Sequence, residues 1–105
     1  MSPSDFQIYN QIKKIYPNRI PVVFIEHGSV KMKKTKYLVP NNVTVSELLM
    51  AVRKQVNLNR YQALFLFVDK GVCLSATDNV GAVYEKYKDN SGLLYIKYDV
   101  ENTFG

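Results

Sequence analysis

Three residues in this 105-residue chain have side-chain or terminal chemistry that could react: the single histidine His27, the single cysteine Cys73 and the final glycine, Gly105. A nucleophile needs a base within reach, and no spacing signature ties Cys73 to His27. His27 falls in a predicted turn and Cys73 beside a predicted hairpin, where each reads as an ordinary turn or small core residue. There is no Gly-rich phosphate loop and no clustered set of metal ligands, so neither an enzyme, a metal site nor a bound cofactor is expected. Gly105 is different. It closes a short polar tail, Glu101-Asn102-Thr103-Phe104-Gly105. A terminal carboxylate without a Cβ beside it can enter a narrow channel in another enzyme and be activated there as an acyl donor. Glycine makes up about 7% of residues in general, and a final glycine also arises by chance. The remaining sequence has to decide.

The elements that would carry this tail are legible from periodicity. Ser2-Pro3-Ser4-Asp5 has the features of a helix start. Phe6, Tyr9, Ile12 and Tyr16 recur at helical spacing, which predicts a helix to about Ile15 that Pro17 ends. Residues 20–26 are β-branched and aromatic, and residues 35–39 form a second strand before Pro40-Asn41-Asn42. Thr44-Val45-Ser46-Glu47 reads as a capping box opening a helix that buries Val45, Leu48, Leu49, Val52 and Val56. A buried strand at 63–68, a tight turn at Asp69-Lys70-Gly71, a short strand at 72–74, a short helix at 79–87 and a last strand at 93–98 follow.

A hairpin, a long helix across it, further strands and a short helix make an α+β layer with one sheet, its first and last strands side by side in the middle. This is the ubiquitin-like β-grasp, with a mixed four-stranded sheet and a helix in front. Residues 1–105 are expected as one domain: helix and link at 1–19, core at 20–98 and a flexible tail at 99–105.

Composition narrows the function classes. A 47% hydrophobic chain with 4 Pro and 5 Gly argues for a globular fold. The longest apolar run, residues 63–68, is far short of the roughly 20 needed to span a bilayer. With one cysteine and no basic-then-apolar leader, a cytoplasmic protein without an internal disulfide is expected. Residues 1–60 carry ten Lys and Arg against three Asp and Glu, while residues 61–105 carry four against six. The basic first half predicts acidic partners.

Ile15-Tyr16-Pro17-Asn18-Arg19-Ile20-Pro21-Val22 and Lys36-Tyr37-Leu38-Val39-Pro40 go further than a fold class. With Val43-Thr44-Val45, Val52-Arg53-Lys54, Ala63 through Val68, Val83-Tyr84-Glu85, Leu94-Tyr95 and the Glu101 to Gly105 tail, they make the chain resemble the autophagy ubiquitin-like modifier family. GABARAP and microtubule-associated light chain three are members, and the likeness covers roughly residues 9–105.

The resemblance implies that an activating enzyme, using ATP, adenylates Gly105 and takes it as a thioester. A conjugating enzyme then joins it, led by Phe104, to the amine of phosphatidylethanolamine. A cysteine protease removes it again. The lipid brings two acyl chains, enough for stable attachment to an autophagosomal membrane.

The resemblance also implies that cargo receptors bind by adding a short aromatic-x-x-aliphatic peptide as a strand at residues 35–39. The aromatic residue would enter a pocket of Ile12, Pro21, Val23, Leu38 and Leu93. The aliphatic one would enter a pocket of Tyr37, Val39, Pro40, Val43, Leu48, Ala51 and Val52. Arg19, Lys34, Lys36 and Arg53 would meet acidic residues flanking the peptide. Period alone places Tyr37 and Val39 on one strand face and Leu38 on the other.

Some positions depart from the family pattern. Only the second of its two front helices has room here, the loop after Glu26 is shorter, Asn18 replaces an acidic residue, and Leu93 stands where an aromatic commonly gates the first pocket. Two rival readings remain. One keeps the fold but attaches Gly105 to a protein, or leaves the chain an unconjugated adaptor. The other is a nucleic-acid binder using 8 Tyr, 5 Phe and the lysines at 31–36. The aromatics fall at core periods and no RNA-binding signature is present, so no nucleic-acid partner is expected.

Overall fold

The computed structural model describes residues 11, 13–26 and 30–103. Most of the expected N-terminal helix, together with Ile12, His27, Phe104 and Gly105, lies outside the described residues. Gln11, Lys13, Lys14 and Ile15 are helical, and the chain turns at Pro17-Asn18 into the first strand.

Strand β1 (Arg19–Glu26) and strand β2 (Lys36–Pro40) form the hairpin. Helix α1 (Val45–Val56) follows, then β3 (Gln62–Val68), the two-residue β4 (Val72–Cys73), helix α2 (Val80–Tyr87) and β5 (Leu94–Asn102). The sheet order is β2-β1-β5-β3-β4. β1 and β5 run parallel at its centre, with Val22 opposite Leu94 and Phe24 opposite Ile96; the other strand pairs are antiparallel. The first and last strands are therefore neighbours, as expected for a β-grasp.

Two expectations need correction. Among the described residues the sheet has five strands, because β4 pairs with β3 through Phe67–Cys73 and Val68–Val72. The tail also begins later than residue 99. β5 runs to Asn102 because β3 offers it a continuous antiparallel ladder, from Phe67–Lys97 to Gln62–Asn102. Polar Asp99 and Glu101 had obscured this, yet strand pairing needs only their backbone groups.

Alternation sets the core. Ile20, Val22 and Phe24 of β1, Leu64, Leu66 and Val68 of β3, and Leu94, Ile96 and Tyr98 of β5 all point to one sheet face and are buried. Val45, Leu48 and Val52 of α1 and Val80, Val83 and Tyr84 of α2 close over them. Leu49 and Val56 pack at the margin of this core.

Thr44 caps α1 by accepting from the Glu47 amide at 3.3 Å, and its hydroxyl donates to Glu47 Oε1 at 3.4 Å. Asn57, left-handed at φ 54°, ends the helix by donating its amide to the Arg53 carbonyl. Asn79 caps α2 by accepting from the Ala82 amide at 3.0 Å. Here the backbones come close: a Cβ on Gly81 would lie 2.5 Å from the Asn41 carbonyl oxygen, so only glycine fits.

Candidate functional site

β2 is an edge strand, bonded to β1 on one side. On its other side lies a groove of about 360 Å³ between β2 and α1. Tyr37, Leu38, Val39, Pro40 and Val43 form one wall, and Glu47, Leu48, Ala51, Val52 and Gln55 of α1 the other, with Phe24 and Met32 completing the lining. The helix period brings 48, 51, 52 and 55 to one stripe, and the strand period brings Tyr37 and Val39 to face it. All seven residues expected in the aliphatic pocket line this one groove.

Its shape is held by bonds that span elements. The Tyr37 ring meets Phe24 edge-on, with centroids 5.7 Å apart. The Gln55 side-chain amide donates to the Tyr37 hydroxyl, while Gln55 Oε1 accepts from the Lys34 amide at 3.1 Å. Burial pushes the Tyr37 phenol above its ordinary value, so the hydroxyl stays protonated at neutral pH. Met32 is buried, and its amide donates to the Tyr98 hydroxyl at 3.0 Å.

The residues expected in the aromatic pocket are placed as follows. Pro21 lies opposite Leu38 across the β1–β2 hairpin, on the sheet face away from α1, and Val23 follows two residues on. Leu93 immediately precedes Leu94, the partner of Val22. Pro21 and Leu93 are buried, and Val23 and Leu38 half-buried. Leu38 also lines the groove described above.

Three of the four expected acid-contacting cations are exposed. Lys36 and Lys34 lie along the β2 side, with Lys34 Nζ 5.1 Å from the Tyr37 ring centroid, and Arg19 donates to the Leu38 carbonyl at 3.4 Å. Arg53 is half-buried. Its guanidinium donates to the Gln62 carbonyl at 3.0 Å and the Asn59 carbonyl at 3.2 Å, tying the α1–β3 loop to the helix. The family resemblance put it beside the groove, and in the structure two carbonyls within the fold engage its fork.

Four groove residues were missed by the sequence reading: Phe24, Met32, Glu47 and Gln55. Gln55 was findable, since it sits three and four residues past Val52 and Ala51 on the same stripe. Met32 lies in a segment without period and carried no such signal. Cys73 is exposed on β4 opposite Phe67.

A β-grasp sheet under a long helix, with an apolar groove opening beside an edge strand, defines a ubiquitin-like protein. The family model described as autophagy protein Atg8 ubiquitin-like matches residues 6–105. The chain is 39% identical over 98 residues to autophagy-related protein 8 of Mycosarcoma maydis, covering 90% of this chain and 82% of that one. It is 42% identical over 98 residues to autophagy-related protein 8e of Arabidopsis thaliana, covering 90% and 80%. The crystal structure of Trypanosoma brucei ATG8 superposes with a TM-score of 0.87 at 30% identity, covering 97% of this chain and 90% of that one. The chain belongs to the Atg8 family of autophagy ubiquitin-like modifiers.

Proposed function

We propose that this protein is conjugated through Gly105 to phosphatidylethanolamine and, once on the membrane, recruits cargo receptors by strand addition at β2. The observation that carries the second half is the groove itself. An extended peptide laid on the free edge of β2 satisfies exposed backbone groups, and an aliphatic side chain of that peptide enters between Tyr37, Val39, Leu48 and Ala51. Pro21, Val23, Leu38, Leu93 and Ile12 would take the aromatic residue. Lys34, Lys36 and Arg19 would attract acidic flanks, giving salt-dependent association.

The first half rests on family membership and on the Phe104-Gly105 sequence. The activating enzyme supplies the ATP step, the conjugating enzyme carries the thioester, and the lipid amine is the nucleophile. A cysteine protease reverses the link. Among the described residues no helix is long and apolar enough to cross a membrane. Two acyl chains on the conjugated lipid would supply the attachment.

The test is conjugation on phosphatidylethanolamine liposomes with ATP and the cognate enzymes, comparing wild type with Gly105→Ala by intact mass. A glycine-dependent lipid adduct supports the proposal. A thioester without a lipid adduct redirects it to a protein target, and no thioester at all leaves only the peptide-binding half.

A further inference from the structure

Thr103 makes two bonds to one acceptor. Its backbone amide donates to the Tyr61 carbonyl at 2.6 Å, and its hydroxyl donates to the same oxygen at 2.8 Å. This clasp lies one residue beyond the β3–β5 ladder, whose final pair is Gln62–Asn102.

The acceptor side is anchored. The Tyr61 amide donates to Asn59 Oδ1 at 2.8 Å, and the Arg60 guanidinium lies 4.8 Å from the Tyr61 ring while donating to its hydroxyl at 2.6 Å. Arg53 holds the carbonyls of Asn59 and Gln62 on either side. When the clasp breaks, Thr103 therefore moves and Tyr61 stays. Both residues are exposed, so water replaces the lost bonds and opening is inexpensive.

One residue, Phe104, separates Thr103 from Gly105. From a closed clasp, two residues reach about 7 Å at most. That is a short leader for a carboxylate that has to travel down an enzyme channel. Release of Thr103 lengthens it by a residue without breaking any pair of the ladder.

On the reading that Gly105 is the acyl donor, we propose that Thr103 is a positioning residue whose clasp on the Tyr61 carbonyl holds the tail back and must open before Gly105 is presented. Any residue at 103 other than proline offers the backbone amide. The Thr103 hydroxyl adds the second bond, so the side chain sets how often Thr103 is released. A channel that takes only the open form sees an affinity reduced by the open fraction.

The experiment compares wild type, Thr103→Val and Thr103→Ser in the 105-residue chain. Valine keeps the β-branched shape and deletes the hydroxyl; serine keeps the hydroxyl. Three readouts are taken: amide exchange at Thr103 by NMR, removal of Gly105 and Phe104 by carboxypeptidase Y followed by intact mass, and thioester formation with the activating enzyme. Thr103→Val is expected to speed exchange and trimming by about fivefold. It should lower the KM for thioester formation by a similar factor with kcat unchanged, and lower the melting temperature by only about 4–8 °C, while Thr103→Ser matches wild type.

Equal exchange and trimming in Thr103→Val and wild type would overturn the proposal. So would faster exchange with an unchanged KM. If no variant, wild type included, forms a thioester while trimming still responds to valine, the acyl-donor reading fails and the catch itself stands.

Discussion

Gln55 of α1 and Tyr37 of β2 are joined across the groove: the glutamine amide donates to the tyrosine hydroxyl, and its carbonyl oxygen accepts from the Lys34 backbone. One side chain thus fixes the spacing between the edge strand and the helix. Gln55→Ala removes both bonds and is expected to weaken binding of an aromatic-x-x-aliphatic peptide by about fivefold, at about 1 kcal/mol for the lost bonding. Tyr37→Phe should show a smaller loss, because the Lys34 bond survives. Isothermal titration calorimetry checks both.

Ala51 is exposed and lines the groove without belonging to the buried core. Ala51→Arg should therefore fill the groove with a charged side chain and leave the fold intact. The expected outcome is at least about a tenfold loss of peptide affinity with an unchanged thermal midpoint. Undiminished affinity would place the peptide elsewhere on the molecule.

Gly81 sits where α2 meets the Asn41 carbonyl, with no room for a Cβ. Gly81→Ala must push the start of α2 away from the turn after β2, since the obstacle is backbone. A destabilisation of about 1–3 kcal/mol is expected in urea unfolding, despite the higher helix propensity of alanine.

Arg53 closes the α1–β3 loop through two carbonyls. Arg53→Ala is expected to cost about 1–3 kcal/mol of stability, and Arg53→Lys to recover only part of it, because a single ammonium cannot reproduce the planar fork. The same urea experiment reads this out. An effect on peptide affinity with no effect on stability would assign Arg53 the expected role of an acid-contacting cation instead.

Asp89 organises the turn before β5. Burial pushes its carboxyl up, but the Ser91 hydroxyl and the amides of Leu93, Ser91 and Gly92 outweigh that, and the net is a lowered value. The folded state thus holds this proton less tightly than the unfolded chain does. The stability gained is fully present above the unfolded value of about 3.9 and is lost as pH falls through the lower folded value. The urea midpoint of wild type should drop more steeply below about pH 4 than that of Asp89→Asn. Parallel pH profiles for the two proteins would refute this.

The elements and their order were set by local pattern. Helical spacing at Val45, Leu48 and Val52, alternation through residues 20–26 and the Asp69-Lys70-Gly71 turn are near-neighbour properties, and the chain carries them wherever it folds. The side-by-side β1 and β5 followed from element order. The residues of the aliphatic wall were named from the family resemblance; period alone put Tyr37 and Val39 on one strand face and left open whether that face was core or pocket.

What only the tertiary structure decided depends on partners distant in sequence. Asp99 and Glu101 read as tail until β3 supplied their ladder. Arg53 was expected, from the family likeness, to meet acidic flanks of a peptide, and its bonds to the loop carbonyls of Asn59 and Gln62 came only with the fold. Met32 and Phe24 joined the groove through packing that no local period encodes. The clasp of Thr103 on Tyr61 spans 42 positions of sequence. A hydrogen bond depends on distance and angle between two groups, and sequence spacing constrains those only within one helix or strand.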